Sequence, residues 1–366
     1  MEHYKRIVIK IGSSSLTDHH GLLDQSRMSA LSVAVTELFR RGWQPVLVSS
    51  GAVAAGLGHL GWSRSHLTMP ERQAAAAVGQ GLLMEKYNEL FLAQGIQVGQ
   101  VLLTKEDLAD RRRYLNARNT LNLLLNRQVL PIVNENDTVA FAEIRFGDND
   151  TLSALVAGLV DAELLIILTD IDGLYSGDPR KDPSARLIPV VRQVDESLAQ
   201  VAGGTGSPVG TGGMRTKLAA ARIAARSGLR TVVASGQDPA IILSLAAGEP
   251  LGTCFEPSPQ SLRSRKQWIA FGSVARGTLT IDGGAVKALT EGNKSLLAVG
   301  VSSVQGNFPA GSVVAIEDSR GVELARGISN LSSDDLQLAI KNPGRGLEVI
   351  NRDWLVCERS FSTCQS

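Results

Sequence analysis

The sequence predicts an α/β protein with a mostly parallel sheet and helices on both faces, followed by a smaller β-rich domain. Three observations carry this expectation. Short β-branched runs alternate with longer helical stretches as far as about residue 236. Those runs are continuous in Val, Ile and Leu, as strands buried on both faces require. Near residue 255 the chain turns rich in Pro and Ser, then breaks into short strands separated by turn signals. A length of 366 residues suits two domains.

Taken in order, the strands of the first domain are "RIVIKIG" (6–12), "QPVLVSS" (44–50), "IQVGQVLLT" (96–104), "VLPIVNEND" (129–137), "ELLIILTD" (163–170) and "RTVVASG" (230–236). Helical patterns lie between them, among them "RMSALSVAVTELFRRG" (27–42) and "TKLAAARIAARSG" (216–228), the second closed by Gly228 as a helix cap. The expected domains are 1–254 and 276–355, joined by a linker over 255–275. Beyond the linker, "GTLTID", "GG", "SLLAVGV", "GSVVAIED" and "GVELARGIS" read as short strands and turns.

The bulk numbers exclude several classes. A net charge of +1 offers no footprint for nucleic acid, an acidic partner or a membrane surface. Three cysteines (Cys254, Cys357 and Cys364) make no disulfide framework and fit a reducing compartment, and no Cys/His cluster has zinc spacing. The longest apolar region, 152–168, is broken by Asp161 and Glu163, short of the ~18 uninterrupted apolar residues of a membrane span. The N-terminal apolar run is too short for a signal peptide. A cytoplasmic protein is expected.

In a parallel sheet the ligand site lies beyond the C-terminal strand ends. Lys10 lies in an apolar strand two residues before Gly12; its ammonium either reaches out at the strand end to a ligand or snorkels at the sheet edge. "VSSGAVAAG" ends a strand at Ser49 and Ser50 and opens a small-residue helix at Gly51, which suits either an anion or a plain serine cap. "GLGHLG" (56–61) matches a dinucleotide fingerprint but falls six residues past its strand, so it is read as a decoy.

"NENDTVAFAEIRFGDND" (134–150) gathers Asn134, Glu135, Asn136, Asp137, Asp148, Asn149 and Asp150. So many acceptors suit an ammonium-bearing ligand or magnesium, which the sequence does not separate, while Asn149 or Asp150 can also be a plain helix cap and the rest a solvated acidic loop. "LTDIDGLY" closes the fifth strand with Thr169, Asp170 and Asp172, where Asp170 can fix a lysine or simply form a turn. Last, 203–213 holds six glycines in eleven residues and feeds a helix with Lys217 in its expected first turn. That suits either a phosphate clamp or a mobile surface loop, and Thr216 and Leu218 depart from the G-x-x-x-x-G-K-[ST] loop.

Together "KIGSSSLT", "VSSGAVAAG", "PIVNENDTV", "FGDNDTLSALVA", "LTDIDGLY" and "GTGGMRTKL" resemble the amino-acid kinase superfamily, specifically the bacterial glutamate 5-kinase family, and the tail from about 276 resembles a PUA domain. The resemblance covers essentially the whole chain. It implies a three-layer αβα sandwich and transfer of the ATP γ-phosphoryl group to the γ-carboxylate of L-glutamate, the first step of proline synthesis. It also implies Mg2+ with the ATP, feedback inhibition by proline, and a homo-oligomer, dimer or tetramer.

By the same similarity, Lys10 and Lys217 stabilise the phosphoryl group and Asp170 orients them. Ser50, Gly51, Ala52, Asn134, Asp137, Asn149 and Asp150 form the acceptor side, lined also by Gly12. Lys10, Gly12, Thr169, Asp170, Thr211, Gly212, Gly213, Met214, Arg215, Thr216 and Lys217 hold the nucleotide. Protein metal ligands are not implied. A carboxylate acceptor is ionised at neutral pH, with a reference pKa of about 4.3, so no general base is needed.

The sequence leaves two rival readings. A sister kinase acting on aspartate, N-acetylglutamate, carbamate or UMP would share the fold and lysines, but "NENDTV", "FGDND" and the appended domain favour glutamate. RNA binding by the tail is the other, yet residues 255–366 hold 12 Lys+Arg against 11 Asp+Glu, which gives no basic face.

Overall fold

The computed structural model describes residues 5–18, 22–63, 67–139, 149–177, 179, 182, 184–194, 198, 211–258, 275–290, 294–341 and 347–357. The chain divides into two compact units, one of residues 1–107 and 112–261, the other of 108–111 and 262–366.

The first unit is built on eight strands: β1 (Lys5–Ile11), β2 (Trp43–Ser49), β3 (Val98–Leu103), β4 (Leu130–Glu135), β5 (Leu164–Thr169), β6 (Val190–Val191), β7 (Arg230–Ser235) and β8 (Thr253–Phe255). Their order is β3-β4-β2-β1-β5-β7-β8-β6. All pairings are parallel except that of β7 with β8. The six long strands match the six apolar runs to within about two residues at each end. β6 and β8 were not expected, since two- and three-residue strands carry no periodicity to read. β8 also shifts the expected linker: Phe255, its proposed first residue, is wholly buried in the sheet.

The helices of this unit are α1 (Gln25–Arg40), α2 (Ala52–Leu60), α3 (Met69–Leu92), α4 (Lys105–Ala109), α5 (Arg111–Asn126), α6 (Asn149–Leu159), α7 (Thr211–Arg226) and α8 (Ile241–Ala246), with residues 108–111, where α4 ends and α5 begins, grouped in the other unit. Strand alternation assigns them to two faces. Ile7, Ile9 and Ile11 of β1 form one core with Met28, Leu31, Val35 and Leu38 of α1, Leu83, Tyr87 and Phe91 of α3, and Ile242 and Leu245 of α8. Each such fully buried large side chain contributes roughly 1.5–3 kcal/mol. Val8 and Lys10 point the other way, to the face where α6 crosses β1, β2, β4 and β5, with α7 beside it on β7. The result is a three-layer αβα sandwich.

Two strand prolines are tolerated for a visible reason. Pro45 of β2 and Pro131 of β4 precede the short β2–β4 pairing, which involves only Leu47 with Ile132 and Val48 with Val133. α7 ends as expected: Gly228 has φ +75°, with its N–H on Ala225 O and that of Leu229 on Ala224 O.

One helix pair shapes the site. A Cβ on Gly56 of α2 would lie 1.8 Å from the carbonyl oxygen of Ala75, and one on Gly79 of α3 would lie 1.8 Å from that of Ala52. The two backbones therefore touch. The fingerprint-like "GLGHLG" is helical interior and cap, and Gly56 serves helix packing.

The second unit has a five-stranded sheet in the order β11-β9-β12-β13-β15 and a two-stranded ladder of β10 and β14. These are β9 (Thr278–Ile281), β10 (Leu296–Leu297), β11 (Val301–Gln305), β12 (Val313–Glu317), β13 (Glu323–Ile328), β14 (Glu348–Ile350) and β15 (Leu355–Cys357). Two helices accompany them, α9 (Gly283–Thr290) and α10 (Ser333–Lys341). The "GG" read as a turn opens α9. Leu279, Ile281, Phe308, Val314, Ile316, Leu336 and Leu355 centre its own core.

Candidate active site

Parallel pairing brings four strand ends to one edge. Lys10 stands level with Val48 of β2 and Ile167 of β5, one residue before β1 ends. Around this edge lies a cleft of about 500 Å³. Lys10, Gly12, Ser50, Gly51, Ala52, Asn134, Asp137, Asn149, Thr169, Asp170 and Lys217 all line it, although they span more than two hundred residues of sequence. Eleven of the expected site residues thus meet in one place.

Lys10 does not snorkel. It is 6% exposed, and its Nζ lies 2.6 Å from Asp150 Oδ1. Lys217, 7% exposed, puts its Nζ 3.1 Å from Asp150 Oδ2. One carboxylate, itself 1% exposed, therefore holds both ammonium groups, one on each oxygen. Thr216 Oγ1 also donates to Oδ2, at 3.1 Å. Burial alone would push the Asp150 carboxyl up, but Lys10 and Lys217 outweigh it and hold the group below the ordinary carboxylate value.

Asp170, expected to orient the lysines, is exposed and accepts a hydrogen bond from Thr169 Oγ1 at 2.9 Å. The shared carboxylate belongs to Asp150, which the resemblance places with the acceptor. The physical reason is burial: a group that pairs two ammoniums out of water must itself lie out of water.

Lys217 also differs from expectation. α7 begins at Thr211, so Lys217 is in its second turn, and its Nζ folds back to Gly213 O at 3.2 Å. Gly213 and Arg215 are exposed and Met214 is half-buried; none of the three lines the cleft. Thr211 and Gly212 belong to α7, while glycines 203–210 and Asp148 lie outside the described residues.

The side expected to take the acceptor is a network of amides. Asn149 opens α6, yet its side chain is not a cap. Its Nδ2 reaches Ser49 O at 2.7 Å, Asn134 Oδ1 at 2.8 Å and Ser50 Oγ at 3.0 Å. Asn134 Nδ2 donates in turn to Gln80 Oε1 at 2.7 Å. Ser49 Oγ shares a 2.9 Å hydrogen bond with the Tyr87 hydroxyl, and burial pushes that phenol well above its ordinary pKa. Gly51, the N-cap of α2, has φ +103°, a conformation that favours glycine.

The structure adds Arg72 to the cleft lining and Gln80 behind it, and Glu135, one of the clustered acceptors, lines the cleft as well. Arg72 sits one turn into α3, after a box in which Glu71 accepts from the Thr68 N–H and Oγ1, both at 2.7 Å. "TMPE" marks that helix start in the sequence, but nothing there aims Arg72 or Gln80 at the site. Among the described residues no three Asp, Glu, His or Cys side chains converge as a metal site.

Comparison with known proteins places these features in a group. The profile of the Amino acid kinase family matches residues 5–235, and that of the PUA domain matches 277–350. The glutamate 5-kinase of Chromobacterium violaceum is 51% identical, over 94% of this chain and 92% of that protein. That of Trichlorobacter lovleyi is 47% identical over 97% of each. Among solved structures, the carbamate kinase of Giardia lamblia bound to AMP-PNP superposes with a TM-score of 0.53 at 18% identity, over 70% of this chain and all of that one. The UMP kinase of Bacillus anthracis gives 0.50 at 16% identity, over 69% and 96%. These two likenesses speak for the fold alone.

Proposed function

Because the chain belongs to the amino acid kinase family and is a phosphotransferase, we propose that it transfers the γ-phosphoryl group of ATP to the γ-carboxylate of L-glutamate. One observation carries the reading: two buried lysines on one carboxylate face an acceptor wall of Ser50, Asn134, Asp137 and Asn149 in a single cleft.

Phosphoryl transfer asks little covalent chemistry of a protein. It asks for alignment and for positive charge where negative charge spreads. Lys10, at the end of β1, and Lys217, on α7, supply that charge from two elements. Asp150 keeps the two ammoniums together, where their repulsion would otherwise part them. Thr169, Asp170 and the start of α7 receive the nucleotide. Magnesium enters with the triphosphate and supplies further charge neutralisation; phosphate and water oxygens would fill most of its shell, with Asp170 the exposed carboxylate on that side of the cleft.

The acceptor lies on the other side. Its α-ammonium goes to Asp137 and the oxygen of Asn149. Arg72, which forms no ion pair among the described residues, is the cation for the α-carboxylate. The γ-carboxylate then points to the lysines, already ionised. The product, an acyl phosphate, belongs at the first step of proline synthesis, and inhibition by proline follows from that assignment.

The test is a panel of acceptors with coupled ADP release, and hydroxylamine to trap an acyl phosphate. Glutamate should dominate and yield a hydroxamate, with proline lowering the rate. A strong preference for aspartate, carbamate or UMP would overturn the proposal.

A further inference from the structure

Gln80 lies on α3, behind the wall, and does not line the cleft. Its Oε1 accepts from Asn134 Nδ2, whereas its Nε2 is buried with no partner among the described residues. The glutamine therefore acts on its surroundings through its oxygen alone.

What that oxygen does follows from amide geometry. A side-chain amide has two orientations that exchange its oxygen and nitrogen, and its neighbours decide between them. Asn149 Nδ2 meets three acceptors inside the protein: Ser49 O, Ser50 Oγ and Asn134 Oδ1. Its Oδ1 is thus the atom left for the cleft that Asn149 lines. That orientation needs Asn134 to present oxygen, and Asn134 Oδ1 also accepts from the Glu135 N–H at 2.9 Å. Asn134 is 2% exposed, so its Nδ2 needs a protein acceptor, and that acceptor is Gln80. Without it, the buried Asn134 Nδ2 is left unpaired, and the Glu135 N–H is the one protein group besides Asn149 that still favours this orientation. A flip would turn its NH2 on the NH2 of Asn149.

We propose that Gln80 is a positioning residue: through Asn134 it holds Asn149 with its carbonyl oxygen toward the substrate's ammonium. α3 thereby sets the preference for an acceptor that carries an amine. The inference rests on the proposed glutamate reading, with the α-ammonium on the Asn149 side.

Kinetics of Q80L and Q80E test it, with L-glutamate as substrate and glutarate, which lacks the ammonium, as a competitive inhibitor. Q80L should raise the KM for glutamate about tenfold or more, the scale for a hydrogen bond to a charged group. It should leave the KM for ATP and kcat within a few-fold, and the preference for glutamate over glutarate should fall by a similar factor. Q80E keeps an acceptor oxygen toward Asn134 and exchanges the unpartnered NH2 for a second oxygen, so it should restore most of both. Thermal unfolding checks that each variant folds, and Q80M replaces Q80L if it does not. An unchanged preference in the variant lacking the acceptor oxygen overturns the proposal, as does equal damage from Q80E or damage spread evenly over ATP and glutamate. Wild-type enzyme that ignores glutamate overturns the functional reading instead.

Discussion

Replacing Asp150 with Asn keeps the shape of the side chain and removes its charge. In the native site each carboxylate oxygen holds one ammonium, at 2.6 and 3.1 Å. In D150N one oxygen remains for one lysine, while the amide NH2 faces the other, donor against donor. Two cations less than a tenth exposed then lose their counter-charge. Breaking a buried pair by removing one partner costs about 3–5 kcal/mol. At about 2–4 °C per kcal/mol, the scale for 150–250 residues, the catalytic unit should melt roughly 6–20 °C lower at pH 7.

The pH dependence has a definite sign. The folded Asp150 has a depressed pKa, so its stabilisation is present above the unfolded value of about 3.9 and disappears as pH falls through the folded value. Once protonated, the native aspartate resembles asparagine. Calorimetry of both proteins from pH 7 downward should therefore show the gap in melting temperature closing at acid pH. In the ADP-release assay, kcat should fall about 10²-fold or more, because neither lysine keeps its aim. A variant equally stable at pH 7, a gap that ignores pH, or kcat within a few-fold of wild type would refute the argument.

The remaining predictions concern the other walls. Lys217→Ala and Lys10→Ala should each lower kcat about 10²-fold or more while calorimetric glutamate binding survives; near-normal turnover would remove them from the transfer step. Asp137→Ala should mainly raise the KM for glutamate, and an unchanged KM would take it out of the acceptor site. Arg72→Ala should weaken glutamate but not 4-aminobutyrate, which lacks the α-carboxylate; equal losses for the two would dismiss that contact. Gly79→Ala should force α2 from α3 and cost about 1–3 kcal/mol or more, and a melting temperature within a degree of wild type would show that the helices separate easily.

The sheet was legible because its strands are continuous apolar runs, and a run such as 163–170 has no other stable use. Lys10, Asn134 and Thr169 were legible by position, since parallel strands end on one edge. The pairing of Lys10 and Lys217 on Asp150 was not. It depends on α6 and α7 lying side by side on one face, which no local pattern records. Asp170 drew attention because it follows a strand, yet exposure leaves it to the turn and the cleft mouth. Gln80 gives no sequence signal at all. Its place is fixed by Gly79, one residue earlier, and by the helix that Gly79 touches.

That backbone contact has a mechanical consequence. Where helices meet through side chains, rotamers can yield, and the helices can slide by fractions of an ångström. Where carbonyl oxygens press on glycine, there is nothing between them to rearrange. α2 carries Ala52 and α3 carries Arg72 at the cleft, with Gln80 behind it, so this side of the cleft behaves as a fixed anvil. Movement that accompanies turnover then belongs to other elements. The amides of α2 and of the middle of α3 should be among the slowest in the chain to exchange with solvent.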